Sequence, residues 1–555
     1  EEYLLGEPCG KGSFGECFWV THRMHKAKDR RVCKKILKED SSVPAEEVVS
    51  ELNTLKLLDH PHIVRVFEWF ESDSSYFLVL EAAYGGDLKS LLAREREQKG
   101  AKGLEEGLVN FLTSQALRAL VYIHNMRIIH RDIKPANMLL AKAEVTRPRL
   151  LLADFGVAEL VEESVRMTSL MRGTVAYMAP EVFANDVSPR SDVWALGIVV
   201  YELICGERPF VAENPMAMYM RLKTTEPNFE NLREAGASEL AVAFAARVLT
   251  KAQTERPSAM EAFSDPWMTS LSSSSSLPAG RQARKIKRTL TEFSSYGHFA
   301  KAAMNCIAAQ LDTGKIEGLS EIFQTLDTDC DGKLSTSELA VGLRRLGVED
   351  DSIAHLVDVL DMNHDGEIQF TEFVASLLQA QGRLVEDVLY QAFHVIDVNH
   401  DGAISLDELR LMLSGDGPLM AVLPDGKTVE QVLAEVDTSR DGVISFHEFK
   451  AYLTQEALPE RNPAQPCLAK MEREGPREEQ AGAPVDASEP LDEVLPRLAK
   501  FVGRPEADLS KQAARLAEVH WITTAGDLVK LAPADWPRLG LPLKLERILR
   551  HHVGC

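Results

Sequence analysis

The sequence predicts a multidomain chain: an α+β domain over the first half, an all-α region behind it, and a small C-terminal helical domain. Three observations carry this. The 555 residues suffice for three or four domains at about 150 residues each. Residues 1–268 mix strand-like runs such as Tyr76-Phe77-Leu78-Val79-Leu80 with helical periodicity. Residues 320–455 repeat an acidic twelve-residue window four times; there 26 Asp and Glu face 8 Lys and Arg, a net charge of −18 out of −22 for the chain. That concentration points to a cation-binding module and away from nucleic acid as a partner.

Composition excludes other classes. With 45% hydrophobic and 26% charged residues the chain is not wholly disordered. Its longest apolar stretch, residues 195–205, carries Glu202 and falls short of the roughly 20 residues that span a bilayer. The eight cysteines (9, 17, 33, 205, 306, 330, 467 and 555) form no CxxC pair, which argues against a disulfide framework or zinc site and for a reducing, cytoplasmic compartment. The first residues, Glu1-Glu2, show no signal-peptide pattern. A lipidation signal upstream, and membrane attachment through it, stays open.

In the first domain, Gly10-Lys11-Gly12-Ser13-Phe14-Gly15-Glu16-Cys17 is a GxGxxG run, alone compatible with a plain hairpin turn. Val32-Cys33-Lys34 follows on a strand-like run, and Glu51 on a helical one. Then come His130-Arg131-Asp132-Ile133-Lys134-Pro135-Ala136-Asn137, Asp154-Phe155-Gly156 and Ala179-Pro180-Glu181. Five such motifs in this order resemble the signature set of the Ser/Thr protein kinases over residues 3–268. The resemblance implies the bilobal α+β kinase fold, with ATP and magnesium as cofactors.

Each part then has a chemical task. Glycines let backbone amides lie against phosphates without a Cβ in the way. Lys34 would hold the α- and β-phosphates and Glu51 would fix Lys34; Lys35 competes for that role, but alternation along a strand favours Lys34. Asn137 and Asp154 offer hard oxygen ligands for magnesium. Asp132 would accept the substrate hydroxyl's hydrogen bond, and Lys134 would neutralise charge on the transferred group. Leu80 stands as gatekeeper, with Glu81 to Ala83 as the hinge for adenine. The resemblance also implies a Glu181–Arg256 ion pair and an Asp192 contact with the catalytic-loop backbone. Asp87 occupies the place of an acid that meets a substrate arginine, whereas Ala136 departs from the Glu common there. A basic residue near the acceptor is therefore expected, without a strong preference for two. In the activation segment, Asp154 to Glu181, Thr168 and Ser169 are the candidate phosphosites; Glu162 and Glu163 supply fixed negative charge instead, and both readings stand.

A Ser-rich linker (269–280) precedes a basic stretch with Arg281, Arg284, Lys285, Lys287 and Arg288, which opens a junction (281–319) read as helical through about Leu311. The acidic windows match the EF-hand calcium loop in two pairs, 320–380 and 381–455. Their side-chain ligands are Asp327, Asp329, Asp331 and Glu338; Asp361, Asn363, Asp365 and Glu372; Asp397, Asn399, Asp401 and Glu408; Asp437, Ser439, Asp441 and Glu448. The carbonyls of Lys333, Glu367, Ala403 and Val443 complete the shells, and Gly at the sixth position allows the turn. Leu334, Ile368, Ile404 and Ile444 at the eighth position would join the loops in pairs. Ser439 stands where the first loop has Asp329, so the fourth site should bind more weakly than the first.

Kinase, basic junction and four EF-hands in this order, with Leu290-Thr291-Glu292-Phe293 and Lys301-Ala302-Ala303-Met304 in the junction, resemble the calcium-dependent protein kinases of plants and protists over residues 3 to about 455. The resemblance implies transfer of phosphoryl groups to protein Ser/Thr, with the junction blocking the substrate groove until calcium binds. A calcium-sensing scaffold with an inert kinase fold, and an active kinase with non-regulatory EF-hands, remain alternatives. After a disordered linker (456–490), residues 491–555 read as a small helical domain, weakly similar to sterile-alpha-motif domains. Its candidate roles are partner binding, self-association through 491–553, or packing alone.

Overall fold

The computed structural model of the protein describes residues 3–12, 15–22, 30–38, 45–143, 148–155, 174–270, 278, 280–311, 316–378, 386–399, 401–412 and 428–454. Ser13, Phe14, Glu162, Glu163, Thr168, Ser169 and everything after Thr454 lie outside the described residues, and with them the expectations for the linker 456–490 and the tail. The described residues belong to one unit, Glu1–Gln465.

The N-terminal lobe is an antiparallel sheet of β1 (Tyr3–Gly12), β2 (Gly15–His22), β3 (Arg31–Leu37), β4 (Val66–Glu71) and β5 (Ser75–Leu80), in the order β1-β2-β3-β5-β4. Helix α1 (Ala45–Lys56) packs against β4. The glycine-rich run is the β1–β2 hairpin, with Gly10 opposite Cys17 and Gly12 opposite Gly15. Strand alternation separates the β3 side chains: Cys33 packs with Val20, Phe67 and Val79, while Lys34 leaves by the other face.

The larger lobe is built on α2 (Leu88–Lys99), α3 (Glu106–Asn125) and α4 (Pro189–Cys205). Asp87 caps α2, its carboxylate accepting from Ser90 N at 2.7 Å. The apolar stretch at 195–205 forms the C-terminal part of α4, and its Glu202 is satisfied by Tyr177 Oη at 2.7 Å. Ser188 and Pro189 open α4, and Gly206 closes it at φ 77; a Cβ there would lie 2.0 Å from the Lys102 carbonyl, so only glycine fits. Strands β6 (Met138–Leu140) and β7 (Leu150–Leu152) pair behind the catalytic loop, and α5 (Pro215–Thr224), α6 (Glu230–Glu234), α7 (Glu239–Val248), α8 (Ala259–Phe263) and α9 (Pro266–Ser270) complete the lobe.

The junction corrects the sequence reading. Instead of one helix through Leu311 there are two, α10 (Arg281–Ser294) and α11 (His298–Gln310), broken at Ser295–Gly297. The break ends on Gly297, a poor helix former, where a Cβ would lie 2.5 Å from Tyr452 Oη. The apolar face of α10 (Ala283, Ile286, Leu290, Phe293) and that of α11 (Phe299, Met304, Ile307) join one core with the EF-hand helices.

That region runs α12 (Glu317–Leu326), β8 (Leu334–Ser335), α13 (Thr336–Arg345), α14 (Asp350–Leu360), β9 (Glu367–Ile368), α15 (Phe370–Leu377), α16 (Glu386–Ile396), β10 (Ala403–Ile404), α17 (Leu406–Met412), α18 (Val429–Val436), β11 (Ile444–Ser445) and α19 (Phe446–Thr454). The eighth-position residues join the loops in pairs: Leu334 opposite Ile368 and Ile404 opposite Ile444. Helix α10 packs on α14 and α15, and α11 bridges the pairs by packing on α15 and α16.

Candidate functional site

The β6–β7 hairpin brings the catalytic loop beside Asp154, because Ala153 N donates to the Asn137 carbonyl at 2.9 Å. Lys34 reaches Asp154 from β3, with Nζ 2.6 Å from Oδ1. Burial alone would raise the Asp154 carboxyl, but the charge and hydrogen bond of Lys34 hold it below its ordinary value. Glu51 lies on α1, its side chain outside the described residues. The tip of the glycine-rich hairpin is likewise outside them, while the Cys17 thiol is pushed up to about 11 by burial.

Asp132 is buried. Its Oδ2 accepts from Lys134 Nζ at 2.6 Å and from Asn137 Nδ2 at 2.8 Å. Its Oδ1 has no hydrogen-bond partner among the described residues, an unmet need in a buried carboxylate. His130 stands behind it: Nε2 meets the Ala153 carbonyl, which only accepts, so Nε2 carries the proton and Nδ1 accepts from Asp132 N. Burial keeps His130 neutral by lowering its pKa. Asp192, on α4, accepts from the backbone amides of His130 and Arg131 at 2.9 Å each, and so fixes Arg131 at φ 67. Asp154 takes φ 62. Two non-glycine residues in the left-handed region at one site mark a backbone held by its surroundings in a costly shape.

At the hinge, Glu81 N donates to the Arg65 carbonyl at 2.9 Å and its buried carboxylate faces Arg149 at 3.6 Å, which commits that side chain to the scaffold. Neither the amide nor the carbonyl of Ala83 has a hydrogen-bond partner among the described residues, which suits an adenine edge. Glu181 and Arg256 pair as expected, at 2.6 and 3.0 Å.

The four calcium loops share one design. Gly332, Gly366, Gly402 and Gly442 take φ 84 to 86, and their amides donate to the first aspartate of each loop. The closing glutamates already fold inward: Glu338, Glu372, Glu408 and Glu448 accept from Ser335, Gln369, Ser405 and Ser445 N at 2.8–3.0 Å. In the first loop, ligand atoms of Asp327, Asp329 and Glu338 lie within 4.8 Å of one another, and buried Asp327 Oδ1 has no partner among the described residues. Burial and neighbouring acids push Asp327 up to about 7; burial pushes Glu372 up to about 8. Crowded, desolvated carboxylates on an all-oxygen framework fit a divalent calcium ion.

The basic helix α10 is seated on this region. Lys287 Nζ donates to the Gly347 carbonyl at 2.7 Å and faces Glu349 at 3.9 Å, while the apolar face is buried among EF-hand helices. That face matches the EF-hand core better than a polar groove does.

Sequence reasoning missed the residues that join kinase to EF-hands. Arg65 donates to the carbonyls of Ala308, Ala309 and Leu311 at 2.7, 3.0 and 3.2 Å, closing the C-terminus of α11. Asp59 accepts from Thr371 N at 2.6 Å, in the first turn of α15. Arg31 reaches Gln310 at 2.8 Å. No local pattern marks them, because their partners lie some 240 or more residues onward in the chain.

The protein kinase domain family matches residues 3–268, and the EF-hand domain pair matches 316–378 and 386–454. Calcium-dependent protein kinase 27 of Arabidopsis thaliana is 30% identical over 469 residues, covering 82% of this chain and 92% of that protein. Calcium-dependent protein kinase 10 of the same plant is 29% identical over 456 residues, covering 81% and 80%. Calcium-dependent protein kinase 20 of Oryza sativa subsp. japonica is 29% identical over 457 residues, again 81% and 80%.

Proposed function

The chain belongs to the calcium-dependent protein kinases, and from that premise we infer that its kinase domain transfers the ATP γ-phosphoryl group to protein serine and threonine hydroxyls under calcium control. The observation that carries the catalytic part is buried Asp132 Oδ1, which has no partner among the described residues while Oδ2 is held by Lys134 and Asn137. An acceptor fixed on one side and open on the other orients a substrate hydroxyl and takes its hydrogen bond. Lys34 would pair with the phosphates, Lys134 with the transferred group, and Ala83 with adenine. Asn137 and Asp154 would hold magnesium, whose positive charge offsets that of the phosphate oxygens. Asp87, half-buried at the head of α2, would meet a basic residue near the acceptor.

The junction 281–319 is the regulatory element of this reading. While EF-hand helices hold the apolar face of α10, its basic residues are kept from the substrate groove; released from that seat, they would compete with basic substrates. Calcium supplies the charge that the crowded loop carboxylates need in order to close around one centre. Residues 491–553 stand as a candidate partner-binding or self-association segment, and the scattered cysteines support a cytoplasmic setting.

The test is transfer of radiolabelled phosphate from ATP to a basic serine peptide by the intact chain in calcium. Asp132→Asn should lower the rate by about 10²- to 10⁴-fold at unchanged KM for ATP. Equal rates for the two chains would remove Asp132 from the chemistry.

A further inference from the structure

The first calcium loop does not stand alone; it rests on the kinase domain. Gly332, at its sixth position, is buried against α3 and the segment before β4: a Cβ there would lie 2.5 Å from Tyr122 and 2.9 Å from His60. The two rings stack at 5.1 Å, and Tyr122 Oη accepts from Asp59 N at 3.0 Å, so the seat is built from rigid parts. One turn before Tyr122 on α3 stands Arg118. Its guanidinium lies over the Phe263 ring at 4.8 Å, and its Nη1 is buried without a hydrogen-bond partner among the described residues. The acid that it faces is Asp327, first ligand of the calcium loop, 3.8 Å away and almost wholly buried.

The two oxygens of Asp327 have different surroundings. Oδ2 accepts from Gly332 N at 3.3 Å and is the atom nearest Arg118. Oδ1 is buried and has no partner among the described residues. The arginine therefore leaves a ligand oxygen open and adds its charge from behind the ligand. Between a carboxylate as buried as Asp327 and a mostly buried guanidinium, such a charge acts with reduced screening.

We propose that Arg118 of the kinase domain sets the calcium affinity of the first EF-hand loop, holding it below what the loop's four acids would give alone. This rests on the reading of residues 327–338 as a calcium loop. The fixed guanidinium repels a second cation brought to the same carboxylates. The first loop has four acids and the fourth has three; with Arg118 beside it, the first approaches the local charge of the fourth. By linkage, filling the first loop weakens its seat on α3 as much as the seat weakens filling. The kinase domain thus takes part in sensing the ion as well as answering to it.

Calcium titration of the intact chain against a fluorescent chelator tests this, with Glu372→Gln, Glu408→Gln and Glu448→Gln leaving only the first loop complete. In that background Arg118→Gln and Arg118→Met should tighten binding about fivefold or more, the low end of ordinary coupling between sites. Arg118→Lys, which keeps the charge, should stay close to the parent. Binding that is unchanged or weaker in the Gln and Met chains would overturn the role of Arg118. No binding in any chain would overturn the calcium reading of the loop beneath it. A second measurement needs no substitution at Arg118: in the parent, calcium should speed hydrogen exchange at Asp59 and along residues 114–122, and unchanged protection there would also overturn the proposal.

Discussion

The Asp59 carboxylate and the Arg65 guanidinium lie 3.0 Å apart in the kinase domain, and each reaches on to a different helix of the EF-hand region. Asp59 takes the N-terminal amide of Thr371 on α15; Arg65 takes three carbonyls at the end of α11. An acid at a helix start and a cation at a helix end each complement the local dipole. Since α15 carries Glu372, the closing ligand of the second calcium loop, one ion pair ties the loop before β4 to both a calcium loop and the junction.

Arg65→Ala should lower the melting temperature and expose the end of α11 to protease, because each hydrogen bond to the guanidinium contributes about 1.5–3 kcal/mol. Asp59→Ala should do the same, and the double variant should cost less than the sum of the two, since the residues share one network. Additive losses, measured by denaturation of the three chains, would separate the pair.

Asp192→Asn should reduce turnover by about 10²-fold, because a small misplacement of reacting groups costs that much. Its two bonds to the His130 and Arg131 amides hold the loop that carries Asp132. The KM for ATP should change little, since Lys34 and the hinge are untouched. Steady-state kinetics referred to active sites counted by ATP-site titration distinguish this from a general loss of fold, which would lower the number of sites and leave turnover per site unchanged.

Arg256 is fully buried and paired with Glu181, and its guanidinium also lies 4.9 Å from the Trp194 ring. Glu181→Gln leaves that charge without its partner and should destabilise the larger lobe by about 3–5 kcal/mol. Chemical denaturation monitored by tryptophan fluorescence reads the change.

Three buried histidines predict acid sensitivity. Burial lowers His60 well below its ordinary value, holds His62 at about 3 and lowers His130. With folded pKa values below the unfolded one, the unfolded chain takes up protons first as pH falls. Their contribution is therefore present above pH ~6.5 and is lost progressively towards pH ~3. Denaturation of the parent and of His62→Asn, which can keep a donor to the Leu150 carbonyl, at several pH values between 5 and 6.5 separates this histidine from the oppositely shifted Asp327 and Glu372: the stability difference, parent minus variant, should grow as pH rises.

Much of this site could be read from the chain because the chemistry confines it. Twelve consecutive residues supply each calcium loop, so Asp327 to Glu338 show themselves in one window. Asp132, Lys134 and Asn137 share one loop, and the alternation that chose Lys34 over Lys35 is a property of any strand. What stayed hidden depends on partners remote in sequence. Gly297 passes close to Tyr452 Oη; Arg65, Asp59 and Arg118 acquire their roles from helix ends and a carboxylate hundreds of residues away or nearly so. The left-handed turns at Cys330 and Arg440, fourth in their loops, carry no signal in their residue types, whereas His364 at the same place belongs to a type enriched at positive φ.

The central claim is that calcium held by the EF-hands governs the kinase site. Turnover of the intact chain in saturating calcium and in chelator tests it directly, beside a chain carrying Glu338→Gln, Glu372→Gln, Glu408→Gln and Glu448→Gln. The intact chain should gain about 5- to 150-fold with calcium, the ordinary range of coupling between sites, while the substituted chain stays flat. Equal turnover of the intact chain with and without the ion would contradict the account.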